Sequence, residues 1–326
     1  MDSSLYKDFK TSRGVTYHYF SSPPHGGKPI LLFLHGFPST SYDWRHQLAY
    51  FHDRGYGLVV PDMLGYGGTD KPENVADYRS SLICRDIVDL LDYEGLEKVV
   101  VIGHDWGSKI TSRLANYYPE RFTAYAFLAL GYLPPGHNTD LAADLQKTKQ
   151  ALGYELYGYW LFFSEDGADR IIDDHWDSMF SLVFPYDSNI WKTDVAGVGA
   201  LKSSLLANKI GPLPSYITEE EKEVASRALR PLKAPLNWYK VMTSGISAED
   251  DKSIPKDRAS FPDAPILFVA ANKDYICLAE PQRQKLRDLG GGRVRIESLN
   301  ADHWVMLSHA SEVNKLLEGW IEGGFT

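Results

Sequence analysis

Five residues in the first third of the chain combine a reactive side chain with a backbone pattern able to present it. Gly103-His-Asp-Trp-Gly107 follows the apolar run Lys98-Val-Val-Val-Ile102 and opens a segment of helical periodicity over Gly107–Tyr118. A strand that turns into a helix through Gly-x-Asp-x-Gly has the layout of a nucleophile elbow, with Asp105 at the exposed apex. A serine at that apex would attack an acyl carbon and hold the substrate's acid as an ester. A carboxylate instead attacks a saturated carbon bearing a leaving group, and the ester formed is one of the enzyme's own acid. The chemistry indicated is the opening of an epoxide or the displacement of an alkyl halide. The helix start favours the ionised carboxylate. Aspartate is also a common N-cap, so the preceding apolar strand and the two flanking glycines are what point to a nucleophile.

Positioning such a residue requires a parallel sheet. Ile30-Leu-Leu-Phe-Leu34, Gly57-Leu-Val-Val60, Lys98–Ile102 and Ala124–Leu130 read as buried strands, separated by helices near Tyr42–Asp53, Tyr78–Tyr93 and Gly107–Tyr118. Alternating strand and helix predicts a mostly parallel sheet with helices on both faces. Val15–Phe20 alternates as an antiparallel edge strand would. The pattern resumes with strands at Pro265–Ala270 and Arg293–Ser298 and a closing helix at Ser311–Ile321. The stretch between, rich in aromatics such as Trp160, Phe163, Trp176, Trp191 and Trp238, lacks strand runs and reads as a mainly helical insertion. Residues 1–131 and 260–326 are expected to form the core, and 132–259 a helical cap over the sheet's C-terminal edge, where open parallel sheets bind ligands. Leu133-Pro-Pro-Gly136 and Ser260-Phe-Pro-Asp-Ala-Pro265 punctuate its borders.

Composition narrows the partners. The 326 residues are 44% hydrophobic and 24% charged with a net charge of −9, which argues against nucleic acid or an anionic membrane surface. Two distant cysteines, Cys84 and Cys277, make neither a disulfide framework nor a thiolate metal site, and no His-Glu-x-x-His spacing occurs. No metal and no cofactor are expected. Gly65-Tyr-Gly-Gly68 does not open a helix, and Gly290-Gly-Gly292 precedes a strand, so both read as turns rather than a nucleotide site. The first ten residues lack a signal-peptide core and no apolar run is long enough to span a membrane, so a cytoplasmic protein is expected.

Six motifs in a fixed order make the resemblance specific. His35-Gly-Phe-Pro38, Asp62-Met-Leu-Gly-Tyr-Gly-Gly-Thr69, Gly103–Gly107, Asn237-Trp-Tyr239, Asn272-Lys-Asp274 and Asp302-His-Trp304 together resemble the α/β-hydrolase-fold epoxide hydrolases over nearly the whole chain. The resemblance implies Asp105 as nucleophile, His303 as the base that activates water, and Asp274 as its orienting acid, in the chain order of that fold. It implies an oxyanion hole from the backbone N–H groups of Phe37 and Trp106. It also implies two cap tyrosines that donate to the epoxide oxygen, a role suited to a phenol that stays protonated at neutral pH. Tyr239 fits one motif. Tyr154, Tyr157 and Tyr159 compete for the other, and the spacing to Phe163 selects Tyr159. Phe37, Trp106, Trp238 and Trp304 are expected to line the substrate site. His35 and His104 read as turn and packing residues, His309 lies too far into the closing segment, and Asp302 sits too close in sequence to orient His303.

The substrate implied is a small apolar epoxide, attacked together with water. A haloalkane dehalogenase shares the aspartate elbow, but Phe37 stands where an asparagine often holds the halide, and Tyr239 has no purpose in halide release. A ligand receptor that keeps the fold without catalysis usually lacks one of these groups, and here all are present.

Overall fold

In the computed structural model, which describes residues 3–136 and 140–325, eight strands form one sheet. They are β1 (Tyr6–Lys10), β2 (Thr16–Ser22), β3 (Ile30–Leu34), β4 (Gly57–Pro61), β5 (Val99–His104), β6 (Phe122–Leu128), β7 (Ile266–Ala271) and β8 (Val294–Leu299). Their order is β1-β2-β4-β3-β5-β6-β7-β8; β2 pairs antiparallel with both β1 and β4, and the remaining pairs are parallel. Every residue of β4, β5 and β7 is buried, as the near-continuous Val/Ile/Leu runs require of strands covered on both faces. One expectation fails at the margin. The Val15–Phe20 segment is antiparallel but is not the edge, because β1 pairs outside it over Tyr6–Lys10. The charged and aromatic β1 sequence, YKDFK, carries too little apolar character to read as a strand; its pairing with β2 supplies the missing stabilisation.

Helices α1 (Arg45–His52), α2 (Ser80–Tyr93) and α3 (Trp106–Tyr117) connect the early strands. Helix α3 is buried from Trp106 to Asn116, against β5 on one side and α2 on the other. Between β6 and β7 the described residues hold no strand but a set of short helices: α4 (Leu141–Leu152), α5 (Tyr159–Ser164), α6 (Ala168–Asp174), α7 (Trp176–Val183), α8 (Ala200–Leu206), α9 (Glu219–Leu229), α10 (Asn237–Thr243) and α11 (Ile246–Asp251). The chain closes with α12 (Ala279–Gly290), α13 (Val305–Ser308) and α14 (Ala310–Glu322). No described helix is long and apolar enough to cross a membrane.

Polar ties fasten this helical segment to the sheet. The Trp304 indole donates to the Val183 carbonyl at 2.8 Å, Tyr154 Oη to the Tyr275 carbonyl at 2.8 Å, and Arg45 Nε to Glu221 at 2.8 Å. A buried charged tie is made by Arg113 on α3, only 1% exposed, which forms a two-pronged pair with Asp251 at 2.6 and 2.7 Å. Its guanidinium also donates to the Leu133 carbonyl at 2.6 Å, and Asp251 accepts the Gly136 N–H at 2.8 Å. Arg113→Met leaves the Asp251 carboxylate buried without its cation, and is expected to cost about 3–5 kcal/mol of stability. Chemical denaturation would register this as a lower midpoint; an unchanged midpoint would show the pair to be dispensable.

Candidate active site

The turn from β5 into α3 fixes the apex. Asp105 adopts φ 52° and ψ −123°, a left-handed-side backbone that non-glycine residues rarely take and that costs of order 1–3 kcal/mol. Close approach on two sides explains the glycines around it. A Cβ on Gly107 would overlap the Leu34 carbonyl at the end of β3, and one on Gly36 would overlap the Asp105 carboxylate itself. The side chain does not cap α3. Instead Oδ1 accepts the Phe37 N–H at 2.8 Å, and the Trp106 N–H is directed at the same carboxylate. Oδ2 is left facing His303 Nε2 at 3.7 Å, beyond hydrogen-bond distance.

The imidazole is held from its far side. His303 Nδ1 and Asp274 Oδ2 lie 2.6 Å apart, and Asp274 Oδ1 accepts the N–H groups of Ile276 and Cys277 at 2.9 and 2.8 Å. A carboxylate so saturated with donors takes the Nδ1 proton as a hydrogen bond, which leaves the Nε2 lone pair of the neutral ring turned toward Asp105. Burial lowers the His303 pKa, but the Asp274 charge and hydrogen bond, with help from Asp105 and Asp302, outweigh it and leave the value raised. Burial pushes Asp105 up, opposed by His303 and the two backbone donors.

Neighbouring candidates fall elsewhere. Asp302 accepts the Tyr216 hydroxyl at 2.7 Å and the Trp304 N–H at 3.1 Å. His35 Nε2 accepts the Met63 N–H at 2.8 Å, so its Nδ1 donates to the Gly36 carbonyl. His104 Nε2 donates to the His303 carbonyl at 2.9 Å, and burial drives its pKa well down, so it stays neutral beneath the site.

Above Asp105 the helical segment delivers two phenols. Tyr159 at the start of α5 and Tyr239 in α10 meet edge to face with centroids 5.8 Å apart. Both line a small cavity of about 40 Å³ together with Phe37, Asp105 and His303. Burial raises both hydroxyls well above the ordinary tyrosine range, and the Asp105 charge adds to it, so both remain protonated donors. Of the other two tyrosines considered, Tyr154 is tied to the Tyr275 carbonyl, and Tyr157 lines only the larger adjoining cavity of about 240 Å³.

The four aromatic residues expected at the substrate site separate. Trp106 borders the larger cavity and Phe37 the smaller, each against Tyr239 with centroids 5.3 and 4.8 Å away. Trp304 borders the smaller cavity while stacking on Phe184 at 4.3 Å. Trp238 is a correction: it lines neither cavity, and its indole donates to the Leu64 carbonyl at 2.9 Å among Tyr66 and Tyr78. On α10, one residue before Tyr239, it faces the core while Tyr239 faces the site, because adjacent helical residues point about 100° apart. Trp191, with its ring 5.4 Å from that of His303, and Ile276 line the small cavity without having been singled out; nothing in their sequence context separates them from packing residues.

Asp274, Cys277 and His303 bring a carboxylate oxygen, a thiol and a ring nitrogen within 4.8 Å of one another. The carboxylate is already engaged by three N–H groups, and burial pushes the Cys277 thiol well up, away from the thiolate a metal prefers.

A strained strand-to-helix apex bearing the acid, a His–Asp pair after the last strands and a mostly parallel eight-stranded sheet constitute a known architecture. Residues 29–310 match the family model described as the alpha/beta hydrolase fold. The chain belongs to that family. This α/β-hydrolase is 27% identical over 316 residues to the mouse (Mus musculus) protein named bifunctional epoxide hydrolase 2, covering 95% of this chain and 54% of that one. The chain thus spans about half the length of the first curated relatives it matches. It is 27% identical over 308 residues to epoxide hydrolase A of Mycobacterium tuberculosis, covering 91% of each. Among solved structures, epoxide hydrolase A from Mycobacterium thermoresistibile superposes with a TM-score of 0.79 at 28% identity, covering 98% of both chains.

Proposed function

We propose that this α/β-hydrolase is an epoxide hydrolase that converts an apolar epoxide and water to a vicinal diol through an ester on Asp105. The observation that carries the reading is the meeting of two protonated phenols, Tyr159 and Tyr239, with the carboxylate of Asp105 in one small cavity. A departing halide needs no proton; an opening oxirane does. The names of the mycobacterial relatives, matched along nearly their full lengths, support the same reading.

In this mechanism Asp105 Oδ2, the oxygen facing His303, attacks an oxirane carbon. The C–O bond breaks, and the oxygen takes a hydrogen bond and then a proton from the tyrosine pair. Esterification removes the Asp105 charge, one of the groups that raises His303. The imidazole therefore loses its proton more readily in the ester than in the free enzyme. His303 then takes a proton from water, whose oxygen attacks Asp105 Cγ. Oδ1 becomes the oxyanion, with the Phe37 N–H already on it and the Trp106 N–H directed at the same carboxyl group. Collapse releases the diol as the leaving oxygen takes the proton from His303, and the second proton of that water, left on the Asp105 carboxyl, returns to the tyrosinate and restores the free enzyme. The helical segment, residues 132–259, acts as the lid that supplies both phenols and shields the site. The cytoplasmic placement rests on the two unpaired thiols, Cys84 and Cys277.

Purified protein should yield diol from styrene oxide and release no chloride from 1-chlorobutane. Chloride without diol would make it a dehalogenase and end this reading. Tyr239→Phe is expected to lower kcat about 10²–10³-fold, with KM changing less because the hydrogen bond tightens as the oxygen gains charge. Tyr159→Phe should do the same, whereas Tyr154→Phe should not; equal losses in all three would remove the special role of the pair.

A further inference from the structure

The two residues that flank His303 in sequence are both gripped by the helical segment. On one side Tyr216, in the connection between α8 and α9, donates its hydroxyl to Asp302 Oδ2 at 2.7 Å. On the other, the Trp304 indole donates to the carbonyl of Val183, the last residue of α7, at 2.8 Å, and its ring stacks on Phe184 with centroids 4.3 Å apart. Asp302 Oδ1 accepts the Trp304 N–H at 3.1 Å, so one carboxylate joins the two grips across the histidine. The sheet holds the same loop through its backbone, with the Lys273 N–H donating to the Ala301 carbonyl at 2.9 Å and His104 Nε2 to the His303 carbonyl at 2.9 Å. Asp274 holds the imidazole itself. Burial, with the Asp302 charge added, pushes the Tyr216 hydroxyl well above the ordinary tyrosine range, so the phenol is the donor. Three residues after Thr218 opens α9, Glu221 pairs with Arg45 Nε at 2.8 Å, which anchors this stretch of the helical segment on the core a second time.

We propose that Tyr216 is a positioning residue for the catalytic base: through Asp302 it fixes the loop that carries His303, so that docking of the helical segment sets the step in which water attacks the ester. Tyr216 lines neither cavity at Asp105 and acts only through its partner. The helical segment then has two separate duties. Tyr159 and Tyr239 serve the opening of the epoxide, and Tyr216 serves hydrolysis of the ester. The second step is the one that depends on the place of the imidazole, because Nε2 must hold a water against Asp105 Cγ, and a misplacement of about 1 Å at a reacting centre costs up to about 10²-fold. The proposal rests on the epoxide hydrolase reading for the two half-reactions, but the link from Tyr216 through Asp302 to Trp304 is testable without turnover.

Tyr216→Phe keeps the ring and removes the donor, and rapid-quench mass spectrometry of a single turnover of styrene oxide follows the two half-reactions separately. Formation of the Asp105 adduct should stay within about twofold of wild type while its hydrolysis slows about tenfold, the effect of one lost charge-assisted hydrogen bond. A helical segment that had merely come loose would carry Tyr159 and Tyr239 away as well. Equal slowing of both steps therefore overturns the proposal, and so does unchanged hydrolysis. Asp302→Ala removes the acceptor and should itself slow hydrolysis; adding Tyr216→Phe to it should change that rate by less than about twofold. Effects that multiply in the double variant would show that Tyr216 does not act through Asp302, and overturn the proposal too. Hydrogen exchange read by mass spectrometry needs no substrate. In Tyr216→Phe the Trp304 amide should exchange about tenfold faster, the same hydrogen bond seen through local opening, while α5 and α10 keep their protection. Unchanged exchange at Trp304 breaks the link and overturns the proposal. Should the wild-type protein form neither adduct nor diol, the proposed function fails, and the exchange result alone decides whether Tyr216 holds the His303 loop.

Discussion

Asp105→Ala is expected to lower diol formation by about four to six orders of magnitude, the scale on which removal of a covalent nucleophile acts. The size of the loss follows from the division of labour around the carboxylate. The Phe37 N–H holds Oδ1, the Trp106 N–H is directed at the same carboxylate, and Oδ2 is the atom turned to the imidazole. Removing the carboxylate removes both the attacking oxygen and the carbonyl on which water later acts. Alanine at this apex still has to adopt the unusual backbone of Asp105, so thermal denaturation should be run beside the assay; a folded, inactive variant is the expected result. A single turnover in ¹⁸O-labelled water, with enzyme in excess, tests the same assignment in the wild type. The first diol should be unlabelled, because its new oxygen comes from Asp105, and the label should appear in the carboxylate. Label in that first diol would mean direct attack by water and would falsify the ester mechanism.

His303→Gln is expected to separate the two half-reactions. Alkylation needs Asp105 and the phenols, all intact in this variant, whereas hydrolysis of the ester needs a base. Turnover should fall about 10²–10⁴-fold, and intact-protein mass spectrometry should show a species heavier by the mass of the epoxide. An inactive variant without the adduct would place His303 in the first step instead. The wild-type pH profile has a sign fixed by the same residue. Asp274, Asp105 and Asp302 raise the His303 pKa despite burial, so the imidazolium persists above the ordinary histidine value near ~6.5. Water activation requires the neutral ring. Turnover limited by ester hydrolysis should therefore fall as pH drops through the His303 pKa of the ester, which loss of the Asp105 charge sets below that of the free enzyme, while adduct formation, which needs ionised Asp105, continues to lower pH. A rate that rises on acidification through this range would exclude His303 as the base.

The elbow shows how much of this protein is legible locally. Val99–Ile102 is apolar because both faces of the strand are covered, and Gly107 and Gly36 are glycines because the end of β3 and the Asp105 turn pass within overlap distance of them. Strand length, helix period and close backbone approach are short-range constraints, and they leave a pattern that can be read along the chain. Asp274 and His303 are legible for a related reason: each follows a strand of the same sheet, so the fold's connectivity carries them to Asp105.

Tertiary packing decided the rest. Tyr154, Tyr157 and Tyr159 have the same chemistry and lie within six residues, yet a backbone carbonyl, the wall of the larger cavity and the small cavity at Asp105 receive them respectively. Trp238 and Tyr239 are neighbours that α10 turns to opposite duties. β1 forms because β2 offers it an edge. The amino-acid sequence by itself determined the strand-to-helix apex, the nature of its nucleophile and the order of its partners, since these follow from periodicity and steric limits of the backbone. Which aromatic or charged side chain faces the cavity was decided by the docking of helices onto the sheet, because burial and polar satisfaction depend on contacts that no local pattern encodes.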